Sequence, residues 1–91
     1  MNIYTISYDL SNPGRDYDSL TNAIQSYGNW WHQSGSVWLI ASNNTNCAAI
    51  RDYLKQFIDQ NDRIFVAKLS GEWAGFGFTN EEYNWMKTNN S

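Results

Sequence analysis

Ile3-Tyr4-Thr5-Ile6-Ser7-Tyr8-Asp9-Leu10-Ser11-Asn12-Pro13-Gly14 decides how the chain folds: an alternating apolar run closes on an acid and then breaks. At a side-chain period of two, Tyr4, Ile6, Tyr8 and Leu10 share one face, and Ile3, Thr5, Ser7 and Asp9 share the other. This pattern predicts a strand over residues 2–10 whose first face suits a helix-covered core. The second face turns polar toward Asp9, as a surface that meets solvent or another subunit does. Pro13 fixes φ and Gly14 accepts positive φ, so residues 11–14 read as a turn. Gly14 belongs to no GxGxxG or P-loop pattern, and no phosphate cradle is indicated.

The apolar spacing then becomes helical. Tyr17, Leu20, Ile24 and Tyr27 form one stripe, which predicts a helix over 16–27 with Asp16 as N-cap and Gly28 as its C′ residue. Apolar runs 29–33 and 36–42 flank Ser34-Gly35, a hairpin break. Trp30 and His32 point one way in the first run, Trp31 and Gln33 the other. In the second, Trp38 and Ile40 alternate with Val37, Leu39 and Ala41, so both faces are apolar, as in a central or partner-covered strand. Beyond the polar loop 43–46, Cys47, Ile50, Leu54, Phe57 and Ile58 predict a second helix reaching about residue 60. Arg51, Asp52, Lys55, Gln56 and Asp59 make its solvated face. Residues 63–69 form the last clear strand. Gly71, Gly75 and Gly77 interrupt Trp73, Phe76 and Phe78, which suggests an irregular fifth strand crossing to another subunit. Thr79-Asn80-Glu81-Glu82 is a capping box opening a short helix with Tyr83 and Met86 on one side, and 88–91 is a polar tail.

The resulting order is βαββαβ plus a C-terminal extension. Two right-handed crossovers joined by a hairpin specify an α+β, ferredoxin-like antiparallel sheet with both helices on one face. Residues 1–91 are expected to form one domain, with its core over about 2–69 and the extension over about 70–91. The open sheet face needs a cover, and dimerisation supplies one economically.

A chain of 91 residues, 42% hydrophobic, has a modest core that partner subunits would help stabilise. No run approaches the roughly 18 apolar residues of a membrane span, and the start lacks the features of a signal peptide. The expectation is a cytoplasmic protein with no membrane contact. Cys47 is the only cysteine and His32 the only histidine, which removes an internal disulfide and a two-histidine metal site. A net charge of −3 with six Lys plus Arg makes counterion release a weak source of nucleic-acid affinity, unless a divalent metal or a local basic patch adds charge. Five Trp and six Tyr serve cores, interfaces or platforms for stacked bases.

The strand motif Tyr4-x-Ile6-Ser7-Tyr8-Asp9-Leu10, the helix Asp16-Tyr17-Asp18-Ser19-Leu20-Thr21-Asn22-Ala23-Ile24, the hairpin over 30–40 and the second helix resemble a known family. The resemblance, over about residues 2–69, is to the small CRISPR-associated protein 2 family and its virulence-associated protein D relatives. It implies a ferredoxin-like homodimer whose strand-one acids face each other across a cleft. It also implies either metal-dependent ribonuclease or deoxyribonuclease activity, or a non-catalytic role as a subunit that bridges DNA. The matching acid is Asp9, with Ser7 and Ser11 as polar neighbours. Two symmetry-related carboxylates would hold one Mg²⁺, which activates water and neutralises charge on a phosphate. A strand-end Asp before a turn also caps backbone N–H groups, so both roles stay open.

The leading expectation is therefore a dimeric nucleic-acid-associated protein, possessing at most weak Mg²⁺-dependent nuclease activity. Asp9 is its catalytic residue and metal ligand, and Arg15, Arg63 and Lys68 are its phosphate contacts. A toxin-like ribonuclease is a variant of the same idea. The alternative is a non-enzymatic oligomeric binding module of a phage or mobile element. In it, Trp30, Trp31, His32, Trp38 and Trp73 meet a nucleotide-like signal or block a host protein. Low basic content and the glycine-broken aromatic C-terminus set this chain apart from the family's adaptation members.

Overall fold

The computed structural model describes residues 1–11 and 17–89. The chain runs β1 (Asn2–Asp9), α1 (Asp18–Gln25), β2 (Trp30–Ser34), β3 (Val37–Ser42), α2 (Cys47–Leu54), a 3-10 turn (Lys55–Phe57), β4 (Arg63–Leu69) and α3 (Asn80–Asn89). One four-stranded sheet has the order β2-β3-β1-β4, with every neighbouring pair antiparallel. This is the ferredoxin-like arrangement that the element order predicts. Of the two central strands, β3 is apolar on both faces, whereas the outer face of β1 passes from Ile3 to Thr5, Ser7 and Asp9.

On the inner face, Tyr4, Ile6, Trp38 and Ile40 meet Leu20, Ala23 and Ile24 of α1 and Ile50 and Leu54 of α2. Burial of each large apolar side chain contributes about 1.5–3 kcal/mol, and this cluster is the main core. Asn46 caps α2, its Oδ1 accepting the Ala49 N–H at 2.9 Å. Gly28, at φ +90°, ends the first helical stretch, and its N–H donates to the Gln25 carbonyl at 3.0 Å. α1 is shorter than predicted, and Tyr17 stands at its N-cap position without a side-chain cap. The predicted Asp16 cap, the Asn12-Pro13-Gly14 turn and Arg15 lie outside the described residues.

The second helix also stops early. α2 ends at Leu54 and the 3-10 turn follows, after which Ile58 is extended at φ −126°, ψ 167°. The Asp62 carboxylate accepts the Asp59 N–H at 2.7 Å, bending the chain toward β4 where the apolar spacing alone suggested more helix.

Residues 70–78 form no strand, contrary to the expectation from sequence. Positive φ at Gly71 (+79°) and Gly77 (+88°) turns the backbone out of an extended path. The segment leads α3 back over the chain's own outer sheet face. Ile3, Leu39, Ala41 and Met86 are buried there, flanked by Trp31, Val37, Leu69, Trp73 and Trp85. The capping box forms as predicted: the Thr79 N–H donates to Glu82 Oε1 at 2.9 Å, and the Glu82 N–H to Thr79 Oγ1 at 3.2 Å. Farther along α3, the Trp85 indole donates to Asn29 Oδ1 at 2.8 Å, and Asn29 Nδ2 donates to Asn89 Oδ1 at 2.6 Å. Part of the face that the sequence left for a second subunit is thus covered by the chain itself. Among the described residues, no helix is long and apolar enough to cross a membrane.

Candidate functional site

α3 covers one end of the outer face and leaves the other open. Three register pairs of β1 and β4 define that open end: Thr5 opposite Ala67, Ser7 opposite Phe65, and Asp9 opposite Arg63. Asp9 and Arg63 are both exposed, and neither side chain makes a hydrogen bond or ion pair with another described residue. Strand geometry explains their position. Arg63 starts β4 and Asp9 ends β1, so antiparallel pairing sets the two side chains opposite each other at the sheet's rim.

An open groove of about 940 Å³ begins at this rim and runs toward the end of α2, lined by Ser7, Asp9, Arg51, Lys55, Arg63 and Phe65 among others. Arg51 and Lys55 lie 3.0 and 3.8 Å from Asp52 Oδ1. The Arg51 hydrogen bond is the chief influence holding the Asp52 carboxyl below its usual range. Both cations belong to the helix face that its charge-rich sequence marks as merely solvated.

A second acid organises the loops behind the groove. Asp62 Oδ1 accepts the Ser11 N–H at 2.8 Å and the Ser11 hydroxyl at 2.9 Å, and Oδ2 accepts the Tyr17 hydroxyl at 3.1 Å. Partial burial is the largest influence on this carboxyl and raises its pKa. The donors from Asp59, Ser11 and Tyr17 together outweigh it and hold the group at about 2. Asp62, not Asp9, therefore does the capping that a strand-end acid was expected to do, which leaves the Asp9 carboxylate free. The Ser11 hydroxyl is committed to Asp62, so of the two predicted serine neighbours only Ser7 shares the open face with Asp9.

The remaining predicted contacts are dispersed. Arg63 and Lys68 sit on opposite faces of β4, because their positions differ by an odd number of residues. Trp38 is 1% exposed in the main core, which corrects its expected role as a ligand platform. Its indole donates to the Tyr8 hydroxyl at 3.0 Å, and His32 stacks on it with centroids 3.8 Å apart and planes inclined by 7°. Trp30, 39% exposed, lies beside Trp38. Trp31 and Trp73 pack on the opposite sheet face against the α3 layer, where Trp73 stacks with Tyr83. The aromatic residues are thus divided between the two sheet faces, as the alternation of Trp30 and His32 against Trp31 implied.

Among the described residues, no three His, Cys, Asp or Glu side chains gather as a metal site. Asp9 supplies one carboxylate, short of the oxygen set that Mg²⁺ takes.

Sequence reasoning missed Asp62 and Phe65. Asp62 closes an Asp59-Gln60-Asn61-Asp62 loop whose Asx-type chemistry was a usable signal. Phe65 shares the face of Arg63 at the strand period but is 66% exposed, and that exposure was not foreseeable.

The sequence model of the family described as CRISPR associated protein Cas2 matches residues 1–75. No solved structure gives a significant match to the chain.

Proposed function

The chain belongs to the CRISPR associated protein Cas2 family, and on that premise we propose that it is a nucleic-acid-binding subunit whose contact surface is the Asp9–Arg63 rim. The observation that carries this is Arg63, an exposed guanidinium with no partner among the described residues, on the rim of a groove shared with Arg51 and Lys55. A planar guanidinium that is not already ion-paired binds a phosphate without first giving up a carboxylate. Asp9 opposite it limits how much negative charge the rim accepts, and so fixes where a phosphate settles.

Metal-dependent cleavage asks more of the rim. Mg²⁺ is held by one or two carboxylates together with substrate phosphates. Asp9 would be the protein ligand, and the ion would neutralise phosphate charge and lower the pKa of a bound water. A second carboxylate, such as Asp9 of a homodimeric copy, would have to complete the set. Binding without cleavage is the activity that the residues of one chain support.

Fluorescence anisotropy with labelled oligonucleotides at low salt tests the assignment. Arg63→Ala is expected to weaken binding and to reduce the salt slope by about 0.7–0.9, the worth of one phosphate contact. Asp9→Asn is expected to preserve or tighten binding in the absence of divalent metal. Equal affinities for wild type and Arg63→Ala would remove the rim from the contact.

A further inference from the structure

A cavity of about 100 Å³ lies between the outer sheet face and the layer formed by residues 73–86, with the rings of Trp31, Trp73, Phe78 and Tyr83 among its walls. We propose that it is an aromatic cage for a compact organic cation, the quaternary ammonium head of a small molecule. Leu39 and Leu69 line it from the sheet. Leu69 pairs with Ile3, at the other end of β1 from the Asp9–Arg63 pair, so the site is separate from the rim and does not rest on its assignment. A second copy seated over the Asp9 end would leave the cavity in place, because Met86 of the chain's own α3 already covers this end.

The wall chemistry favours a cation. Trp73 and Tyr83 are near parallel, with planes inclined by 18° and centroids 6.4 Å apart. Phe78 stands edge-on to Trp31 at 5.3 Å and to Tyr83 at 6.0 Å. Rings gathered around one space concentrate the π surface that attracts a quaternary ammonium. Gly75 lets two of them close on the backbone: a Cβ there would stand 3.1 Å from Phe78 Cδ2 and 3.2 Å from Tyr83 Cε1. Residues 70–86 also contain Glu72, Glu81 and Glu82 and no Lys or Arg. The Glu82 carboxylate is fixed at the wall, its Oε2 accepting the Trp31 indole N–H at 2.8 Å. Its charge adds to the pull of the rings on a cation.

Size and hydrogen bonding narrow the ligand class. Larger organic ligands occupy pockets of about 300 Å³ or more, so a whole nucleotide does not fit. Gln33 supplies the one amide among the described lining side chains, too little to match the edge of a base. A quaternary ammonium has no N–H and asks for no acceptor. The competing occupant is the Phe76 ring of another copy, 98% exposed next to Gly75 at the cavity wall. That ring carries no charge, and the acids of the segment offer it nothing.

Titration of the full chain with choline, and with the alcohol in which carbon replaces its ammonium nitrogen, tests the cage at constant ionic strength. Choline is expected to shift the indole N–H signals of Trp31 and Trp73 and to bind about tenfold or more tighter than the alcohol. Trp73→Leu keeps an apolar cover and is expected to lose that preference, with circular dichroism as the control for folding. Gly75→Ala, at an exposed position, crowds Phe78 and Tyr83 and is expected to weaken choline binding also. Equal affinity for choline and the alcohol, or unmoved Trp31 and Trp73 signals, would overturn the proposal. A lower sedimentation state in Phe76→Ser, with choline bound by neither form, would assign the cavity to the ring of a second copy instead.

Discussion

Trp31 of β2 donates its indole N–H to Glu82 Oε2 of α3 at 2.8 Å, joining residues 51 positions apart. The other Glu82 oxygen closes the capping box with the Thr79 N–H at 2.9 Å. One carboxylate thus starts the helix and fastens it to the sheet. The Thr79 N–H, then the Trp31 indole, are the main influences holding the Glu82 carboxyl below its usual range.

Removal of residues 70–91 is therefore expected to expose Ile3, Leu39 and Ala41, now 1–3% exposed. The loss is about 5 kcal/mol, from three apolar side chains at their usual burial value, together with concentration-dependent self-association through the bared face. Chemical denaturation and sedimentation velocity measure both. Trp31→Phe keeps an aromatic ring, though a smaller one, and loses the donor, and should lower the Tm by much less than the truncation.

Acid should loosen the loops behind the groove. The Asp62 carboxyl, at about 2 in the folded chain, lies below the unfolded range of about 4. Its stabilisation is complete above pH 4 and is lost as pH falls through about 2. Asp62→Asn is expected to flatten the stability profile in that window, with Glu82→Gln removing a further part. Urea midpoints measured from pH 2 to pH 5 check it, and an unchanged slope in Asp62→Asn would contradict the hydrogen-bonded role.

The neighbouring tryptophans Trp30 and Trp38 should behave unlike one another. Trp38→Ala leaves a cavity in the main core and removes the indole donor to the Tyr8 hydroxyl, and should cost about 3–5 kcal/mol. That is a large share of the roughly 5–15 kcal/mol that holds a small domain folded. Trp30→Ala at a half-open position should cost about 1 kcal/mol. Thermal unfolding followed by circular dichroism separates the two.

The strands were legible in the sequence because their information is local. The two-residue period of Ile3–Asp9 names β1 as a strand and the two-faced apolar run Val37–Ser42 names β3 as a central one, and the two lie together in the sheet. The end of α2 was not legible, because a carboxylate beyond it at Asp62 competes for the backbone and no helical period reports that. The path of residues 70–78 was hidden for a related reason: glycines mark a departure from regular structure without saying which surface the chain returns to. The exposure of Asp9 at the strand tip followed from alternation. Its juxtaposition with Arg63, 54 positions later in sequence, depends on the β1–β4 pairing and appears only in the fold. Alternation also placed Trp30 and His32 on one face and Trp31 on the other. It did not reveal that His32 would lie on Trp38 and seal it.

Backbone amide shifts of the ¹⁵N-labelled full chain, titrated with a short single-stranded oligonucleotide at low salt, test the assigned rim most directly. The largest perturbations are expected at Asp9, Arg63 and Phe65, with smaller ones at Arg51 and Lys55, and Arg63→Ala should shift the whole pattern to higher oligonucleotide concentration. Perturbations centred instead on β2 and α3, with the β1–β4 rim unmoved, would contradict the assignment of nucleic-acid contact to Asp9 and Arg63.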